Sequence, residues 1–373
     1  MSTPVNQAAA SLRDAIREAA DGLINREHLA ELMILAAVAQ EHLLVIGPPG
    51  TAKSAVVRRV AQSLGGRYFE YLLGRFTEPS ELFGAVNLGK LREGLVETDV
   101  SGMLPEADIA FLDEVFLGST AILNTLLGVL NERQFRRGHT NIACPLRLCV
   151  GASNALPDDD SLSAFADRFL LHVFVDAVPD ARLEDLLAGG WAVGQRKVGV
   201  RADMATLDAL HAAVPNVNMG AVRADLAQAI RQLRKAQINL SDRRIVKAQQ
   251  LIAAAAVLAG RNVATRADLW PLVYVVPSAA GQQSARETLR ELLAEARHPL
   301  LQAVVETAVQ QPLARIARLA ETADRLLGAA RGEGFRGEAE ALLREIDANF
   351  GKDSLPPELS ARRAQLVVAV QSA

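Results

Sequence analysis

The sequence contains two cysteines, Cys144 and Cys149, both in the segment IACPLRLCVGASN. If this segment forms one strand or hairpin arm, the two residues stand about 16 Å apart and their side chains point to opposite faces. A disulfide requires Cα atoms within about 7 Å of each other. We therefore expect two reduced thiols in a sheet and no disulfide framework.

Long apolar runs and a secretory signal are also missing. The apolar stretch at 251–259 is well short of the about 20 residues that a membrane-spanning helix needs. The first residues, MSTPVNQ, show no basic segment followed by an apolar run. The six histidines include no pair at metal-ligand spacing. These absences favour a cytoplasmic protein with no integral membrane segment and no histidine-bound metal.

Net charge and aromatic residues are both low. The formal net charge is −3, so the chain has no overall attraction for nucleic acid or for anionic membranes. Aromatic residues make up 4% of the chain, whereas 50% of its residues are hydrophobic, chiefly alanine and leucine. This composition favours packed helices over a β-sandwich.

Short apolar runs alternate with helical patterns in the first half of the chain. The runs are rich in β-branched or aromatic residues and end at turn residues, which is typical of buried strands. Because helical stretches separate most of them, we expect a parallel sheet with helices on both faces. After about residue 180 the pattern is helical. The predicted strands are 42–47, 68–73, 109–114, 146–154 and 170–175.

The segment GPPGTAKS lies between a predicted strand and a predicted helix. This is the context in which the pattern G-x-x-x-x-G-K-[ST] binds nucleotide phosphates. The two glycines let the backbone curve closely, so that its N–H groups and the helix amino end face phosphate oxygens. Lys53 can bridge the β- and γ-phosphates, and Ser54 can coordinate Mg²⁺. The candidate ATP-binding residues of the loop are Gly47, Pro48, Pro49, Gly50, Thr51, Ala52, Lys53 and Ser54.

Ala52 departs from this pattern, which has glycine before the lysine. Glycine is indispensable only where φ is positive or where no Cβ fits. If position 52 has helical dihedral angles, its methyl group costs little. The alternative is a strand-to-helix turn that only caps the following helix.

A second segment supports a nucleotide-binding role for the loop GPPGTAKS. The apolar run DIAFLDEV ends in Asp113 and Glu114, about 60 residues after the loop. Open α/β sheets place ligands at the carboxyl ends of their strands. Asp113 can hold Mg²⁺ directly or through water, and Glu114 can act as the general base that activates water. Alone, the pair fits a solvated strand end equally well.

Two polar residues flank later strands. Asn154 ends the run LRLCVGASN, where an amide can orient the attacking water or contact the γ-phosphate, unless it only forms a turn. Arg168 precedes the last predicted strand. It can form a structural salt bridge with Asp167, or act as an arginine finger on a neighbouring subunit's γ-phosphate.

Arg243 and Arg244 open a helix after Ser241, a favourable N-cap residue. Cations at a helix amino end oppose the helix dipole, so an anion such as ATP phosphate is one explanation for them. A solvated helix start is the other.

Together the segments GPPGTAKS, FLDE, GASN, ADRF and SDRR resemble the MoxR group of AAA+ ATPases, most closely its RavA-type branch. In that group alanine commonly precedes the P-loop lysine, as Ala52 does here. The segments FTEPSELFG and ILNTLLGVLNERQFRRG are also similar. The resemblance covers roughly residues 20–275.

The resemblance implies an α/β fold with a parallel five-stranded sheet in the order 5-1-4-3-2, a helical lid and an additional helical C-terminal domain. That strand order would bring Lys53, Asn154 and the Asp113–Glu114 pair together. We accordingly divide the chain into an αβα nucleotide-binding core (1–178), an all-α lid (179–277) and a helical C-terminal domain (278–373).

Matched by position, Asn154 corresponds to sensor 1, Arg168 to the arginine finger and Arg243 to the sensor 2 arginine, although the choice between Arg243 and Arg244 stays open. ATP and Mg²⁺ are the implied cofactors. Residues 84–104 match an insert that lines the pore of the ring in this clade, and the segment QFRRGHTNIAC matches the hairpin before sensor 1, unless both are only surface hairpins.

The resemblance further implies a homo-oligomer, typically a hexameric ring, with ATP at the subunit interfaces. Such proteins work beside a partner with a von Willebrand factor A (VWA) domain, and they remodel, activate or load a client protein. RavA-type proteins also carry a β-rich module between C-terminal helices. The tail 279–373 shows no such block, so a decarboxylase partner is not expected.

Two other functions stay open. A nucleic-acid motor shares the insert architecture, and Arg136, Arg137 and His139 in the segment QFRRGHTNIAC are its support. The near-neutral charge speaks against it, and no nucleic-acid partner is expected. A scaffold that binds ATP with little hydrolysis is the other alternative, and Glu114 speaks against that one.

Overall fold

The computed structural model describes residues 3–193, 197–309, 312–328, 335–349 and 355–371. The strands are β1 (Leu43–Ile46), β2 (Tyr68–Leu72), β3 (Ile109–Asp113), β4 (Gln134–Arg137), β5 (Thr140–Ala143), β6 (Leu148–Ser153) and β7 (Leu171–Phe174). The helices of the first half are α1 (Thr3–Ala20), α2 (Glu27–Ala39), α3 (Lys53–Leu64), α4 (Pro79–Phe83), α5 (Leu88–Arg92), α6 (Thr120–Glu132) and α7 (Asp160–Ala166).

Every described element after β7 is helical. These helices are α8 (Leu183–Val193), α9 (Met204–Ala213), α10 (Arg223–Lys235), α11 (Asp242–Leu258), α12 (Leu272–Val275), α13 (Ala279–Thr288), α14 (Gln302–Val309), α15 (Pro312–Gly328), α16 (Phe335–Asn349) and α17 (Pro357–Gln371). Short 3₁₀ turns lie at Leu104–Glu106, Val115–Leu117, Asp180–Arg182, Val214–Asn216 and Arg266–Asp268.

Five strands form one parallel sheet in the order β2-β3-β6-β1-β7. If only these five are numbered along the chain, the order is 5-1-4-3-2, so the predicted topology is confirmed. All five predicted strands are present with slightly shorter bounds. Since the strands are parallel, their carboxyl ends meet at one edge, and that edge receives the loop after β1, the end of β3 and the end of β6.

The two faces of the sheet are covered separately. Along β1, Leu43 and Val45 join one hydrophobic cluster, whereas Leu44 and Ile46 join another. This alternation is the two-residue period of a strand whose faces are both buried. On the first face lies α2, in which every residue from position 29 to position 39 is buried. A helix that is apolar all round belongs inside a protein, and α2 accordingly packs between the sheet and later helices.

The cysteine prediction was right about the thiols and wrong about their placement. Both cysteines are free and buried. Cys144 follows β5 and Cys149 lies within β6, and both belong to the same hydrophobic cluster instead of pointing to opposite faces. Pro145 stands between them and has no N–H to donate, so the chain cannot continue as one strand.

The helices that follow β7 contribute their buried residues to two hydrophobic clusters. The larger one joins the sheet face to helices as far along the chain as Val309, and a separate one holds α15, α16 and α17 together. The division at residues 178 and 277 stays a proposal. No helix in the described part of the chain is both long and apolar enough to cross a bilayer.

Candidate functional site

The loop after β1 is tightly curved around the lysine side chain. Lys53 is buried, and its Nζ donates to the carbonyl oxygens of Gly47 at 2.7 Å and Pro48 at 3.1 Å. Gly47 is required by close packing, because a Cβ there would lie 2.1 Å from the carbonyl oxygen of Val175. The Lys53 amino group is therefore held against the backbone of the loop.

Ala52 has a left-handed backbone, with φ of 61° and ψ of 24°. The condition of helical dihedral angles is therefore not met, and position 52 is one that glycine would favour. For an L-residue this conformation costs about 1 to 2 kcal/mol. Contacts around the loop must hold the alanine there.

One such contact comes from Arg26, a residue that sequence reasoning missed. Its side chain is 4% exposed. Its guanidinium donates to three carbonyl oxygens, those of Asn25, Thr51 and Asp176, each at 2.8 Å. The available signal was a cation directly before α2, where it opposes the helix dipole. The same signal drew attention to Arg243 and Arg244.

The carboxylates and the amide converge at the same edge of the sheet. Asp113 is the last residue of β3, and its Oδ1 accepts a hydrogen bond from the Glu114 N–H at 3.0 Å. The Asn154 amide donates to Glu114 Oε1 at 2.5 Å. Glu114 itself has a left-handed φ of 49°, which turns its side chain out of the strand direction. The structure thus places Lys53, Asp113, Glu114 and Asn154 around one space.

Glu114 is electrostatically suited to accept a proton. Partial burial raises its pKa above the ordinary value, the neighbouring Asp113 raises it further, and Lys53 lowers it. A carboxylate with a raised pKa is a stronger base as long as it remains ionised. Ser54 in the first turn of α3 and Asp113 at the end of β3 supply a hydroxyl and a carboxylate, the oxygen donors that Mg²⁺ prefers. This donor set fits the metal.

The three candidate arginines, Arg168, Arg243 and Arg244, lie away from the space around Lys53. Arg168 precedes β7, whose carboxyl end faces the loop, so about 13 Å of strand separates this arginine from that edge. Arg243 stands beside it: burial lowers the pKa of Arg243, and the nearby Arg168 charge lowers it further. The structure therefore does not bring these arginines to the chain's own P-loop.

Arg168 is poorly satisfied within its own chain. Its ion pair with Asp167 measures 3.9 Å, and its buried Nε has no hydrogen-bond partner among the described residues. Asp167 instead accepts from Arg244 Nε at 2.6 Å. The structural salt bridge considered from the sequence is therefore weak.

Arg244 and Arg243 differ in their surroundings. Arg244 is buried and donates to the carbonyl oxygens of Phe169, Leu170 and Val275 in addition to Asp167. Arg243 is partly exposed and donates to the Asn131 side chain at 2.6 Å. Arg244 is thus committed to the fold, which leaves Arg243 as the candidate for binding an anion.

We expect Arg244→Ala to lower the free energy of unfolding by about 3 kcal/mol or more, because three buried carbonyls and a carboxylate lose their donor. Arg243→Ala serves as the matched control and should change it by less than about 0.5 kcal/mol. Urea unfolding followed by circular dichroism measures both. Equal losses for the two variants would contradict this division of roles.

His172 adds a pH dependence to the same region. Burial and the Arg244 charge lower its pKa to about 4. As the pH falls below 6.5, His172 of the unfolded chain takes up a proton that the folded chain excludes, so its contribution to stability is complete above pH 6.5 and is lost toward pH 4 by about 3 kcal/mol. We expect His172→Gln to flatten the pH profile of the unfolding free energy by that amount. Parallel profiles for the two proteins would contradict it.

The hairpin β4–β5 is bonded to the segment 84–104. The Val96 N–H donates to His139 Nδ1 at 3.0 Å, and the Thr98 N–H donates to the Thr140 hydroxyl at 2.7 Å. The segment also presents exposed leucines, among them Leu88. Hairpin and segment are therefore joined by hydrogen bonds into one unit.

Comparison with known proteins agrees with this architecture. A family model of the MoxR domain in MoxR–vWA–β-propeller ternary systems matches residues 10–212, and a model of the AAA lid domain matches residues 219–289. The crystal structure of a proposed ATPase from Cytophaga hutchinsonii superposes with a TM-score of 0.63 over 79% of this chain and 97% of that one. At 15% identity, that likeness concerns the fold alone.

Several relatives are similar in sequence. Two uncharacterized proteins of Methanocaldococcus jannaschii are each 33% identical, over 66% and 68% of this chain and 66% of their own lengths. The chaperone MoxR1 of Mycobacterium tuberculosis is 25% identical over 44% of each chain. The match to the archaeal proteins thus spans about two thirds of their length. With a MoxR-domain model covering more than half of the sequence, the chain belongs to the MoxR group of AAA+ ATPases.

Proposed function

We propose that the protein hydrolyses ATP and uses the energy to remodel, activate or load a client protein. The convergence of Lys53, Asp113, Glu114 and Asn154 at one sheet edge carries this proposal. In this reading, Lys53 binds the β- and γ-phosphates and Glu114 takes the proton of the attacking water. Asn154 orients Glu114 through the 2.5 Å hydrogen bond.

Mg²⁺, held by Ser54 and Asp113, would neutralise charge on the phosphates. The remaining loop residues would contribute their backbone to the nucleotide, as the helix amino end at Lys53 favours anions. Glycine at position 47 lets the loop pack against Val175, and glycine at position 50 accommodates a positive φ of 78°.

We further propose that Arg168 and Arg243 act on the nucleotide of a neighbouring copy. They lie at the amino end of β7, the loop lies at its carboxyl end, and Arg168 Nε has no acceptor in the part of its own chain that the structure describes. A head-to-tail contact would place one copy's arginines against the next copy's loop, and repetition of that contact closes a ring if the rotation permits. A hexamer is the ring we expect.

A VWA-domain protein is the partner that we propose. Support comes from the family model, which is named for systems that combine a MoxR protein with a vWA and a β-propeller protein. A β-propeller protein is accordingly a second candidate partner. Assignment to the RavA-type branch, cytoplasmic location and a pore lined by residues 84–104 stay predictions.

The test is a trap for the partner. Tagged Glu114→Gln should bind ATP without consuming it, so proteins that depend on the ATP state should co-purify from the native host. Lys53→Ala, which should not bind ATP, is the control. Mass spectrometry should detect a VWA-domain protein with the first variant and not with the second. Equal recovery of the same proteins by both variants would contradict an ATP-dependent partner.

The basic residues of the hairpin β4–β5 were the support for a nucleic-acid motor. Of the hairpin's basic residues, Arg136 pairs with Glu132 and Gln134, and His139 accepts from the Val96 N–H. Those side chains are thus engaged within the protein. Salt-sensitive DNA binding together with stimulated ATP hydrolysis would revive the motor interpretation.

A further inference from the structure

The contact between Arg26 and the Thr51 carbonyl controls one peptide unit of the loop. This unit joins Thr51 to Ala52, the residue with the left-handed backbone. A trans peptide is planar, and its C=O and N–H groups point in opposite directions. A carbonyl held toward the buried Arg26 therefore leaves the Ala52 N–H pointing away from it.

The N–H groups on this side of the loop are free. Those of Gly50, Thr51 and Ala52 donate to no backbone acceptor within the described part of the chain. An anion seated in the loop would accept from such groups. If the Thr51–Ala52 unit rotated, Ala52 could leave its unfavourable conformation, but its N–H would no longer face the anion.

Rotation of the Thr51–Ala52 peptide unit would relieve an unfavourable conformation when residue 52 is alanine, but not when it is glycine. Glycine adopts positive φ about as readily as negative φ, whereas an alanine pays for it. The three carbonyls around Arg26 come from the turn before α2, from the loop and from the chain after β7, so the guanidinium is fixed from three sides. A rigid donor of this kind can hold the peptide against the rotation.

We propose that Arg26 is a positioning residue that holds Ala52 in the left-handed conformation, so that its N–H is ready to bind the phosphates of ATP. In this chain an arginine outside the phosphate-binding loop thus supplies the constraint that makes alanine acceptable before Lys53. The proposal rests on the proposed ATP site.

The test compares four chains, each carrying Glu114→Gln so that ATP is not consumed: the parent, Arg26→Lys, Ala52→Gly and the double variant. Lysine keeps the charge and loses the planar fork that reaches three carbonyls. Titration calorimetry with ATP and Mg²⁺ measures the affinities. We expect Arg26→Lys to weaken binding about tenfold or more when residue 52 is alanine, and by a clearly smaller factor when residue 52 is glycine.

Rescue by glycine separates this role from a general structural one. Loss of packing at Arg26 would weaken the double variant as much as the single one, and that result would overturn the proposal. Unchanged affinity in Arg26→Lys would do the same. If the parent itself did not bind ATP, the ATPase proposal would fail first, and this one with it.

If Arg26→Lys folds poorly, the midpoints of urea unfolding provide a second test of the proposal. Ala52→Gly should raise the midpoint of urea unfolding more in the Arg26→Lys chain than in the parent, since only there does the alanine lack its support. Equal shifts in the two chains would overturn the proposal.

Discussion

Replacing Glu114 with glutamine should lower the rate of ATP hydrolysis by about 100-fold or more and leave ATP binding intact. An amide cannot accept the proton of the attacking water, and loss of a general base typically costs this much. Glutamine keeps the size of the side chain, and its amide oxygen can still accept the hydrogen bond from the Asn154 amide. A phosphate-release assay together with calorimetric ATP titration measures the two effects.

The matched control is Glu287→Gln, the same change on the exposed side of α13. It should leave both hydrolysis and binding unchanged. Turnover in Glu114→Gln equal to that of the control would remove Glu114 from the role of base. Loss of ATP binding together with turnover would show that its carboxylate shapes the site instead.

Replacing Arg168 with alanine should lower hydrolysis in the assembled protein by about 1,000-fold, the scale typical of an arginine that stabilises charge on a transferred phosphoryl group. A single subunit should bind ATP as before, because Arg168 lies at the opposite end of β7 from its own loop. The unpartnered Nε and the 3.9 Å distance to Asp167 indicate that little folding energy depends on this side chain.

Arg231→Ala, at an exposed arginine of α10, is the control and should retain hydrolysis. Steady-state rates over a range of protein concentrations separate assembly from chemistry. If Arg168→Ala lost activity because it no longer assembled, size-exclusion chromatography would show it, and the finger assignment would lose its support. Weaker ATP binding by isolated subunits would place Arg168 at its own site.

The sheet could be predicted from the sequence because its signals are local. Short apolar runs bounded by turn residues give strands, and strand ends place Asp113 and Asn154 at one edge. The left-handed backbone of Ala52 could not be predicted, since it depends on a hydrogen bond between Arg26 and the Thr51 carbonyl, which are 25 residues apart in the sequence. A local pattern shows that alanine replaced glycine and does not show what holds it.

The sequence also could not distinguish the surroundings of two residues of the same type that lie close together in the chain. Arg243 and Arg244 present the same sequence signal, and only burial among the carbonyls of Phe169, Leu170 and Val275 distinguishes the structural Arg244 from the partly exposed Arg243. For the cysteine pair, the spacing suggested a single strand. Pro145 instead separates β5 from β6.

Mixing two inactive variants tests the shared site most directly. Lys53→Ala subunits should not bind ATP but retain Arg168, and Arg168→Ala subunits bind ATP but lack the arginine. In rings assembled from equal amounts, about a quarter of the interfaces pair an intact loop with an intact arginine if the copies meet head to tail. We predict that hydrolysis returns to a comparable fraction of the unmodified rate. A mixture as inactive as its separate components would contradict a site completed by the neighbouring copy.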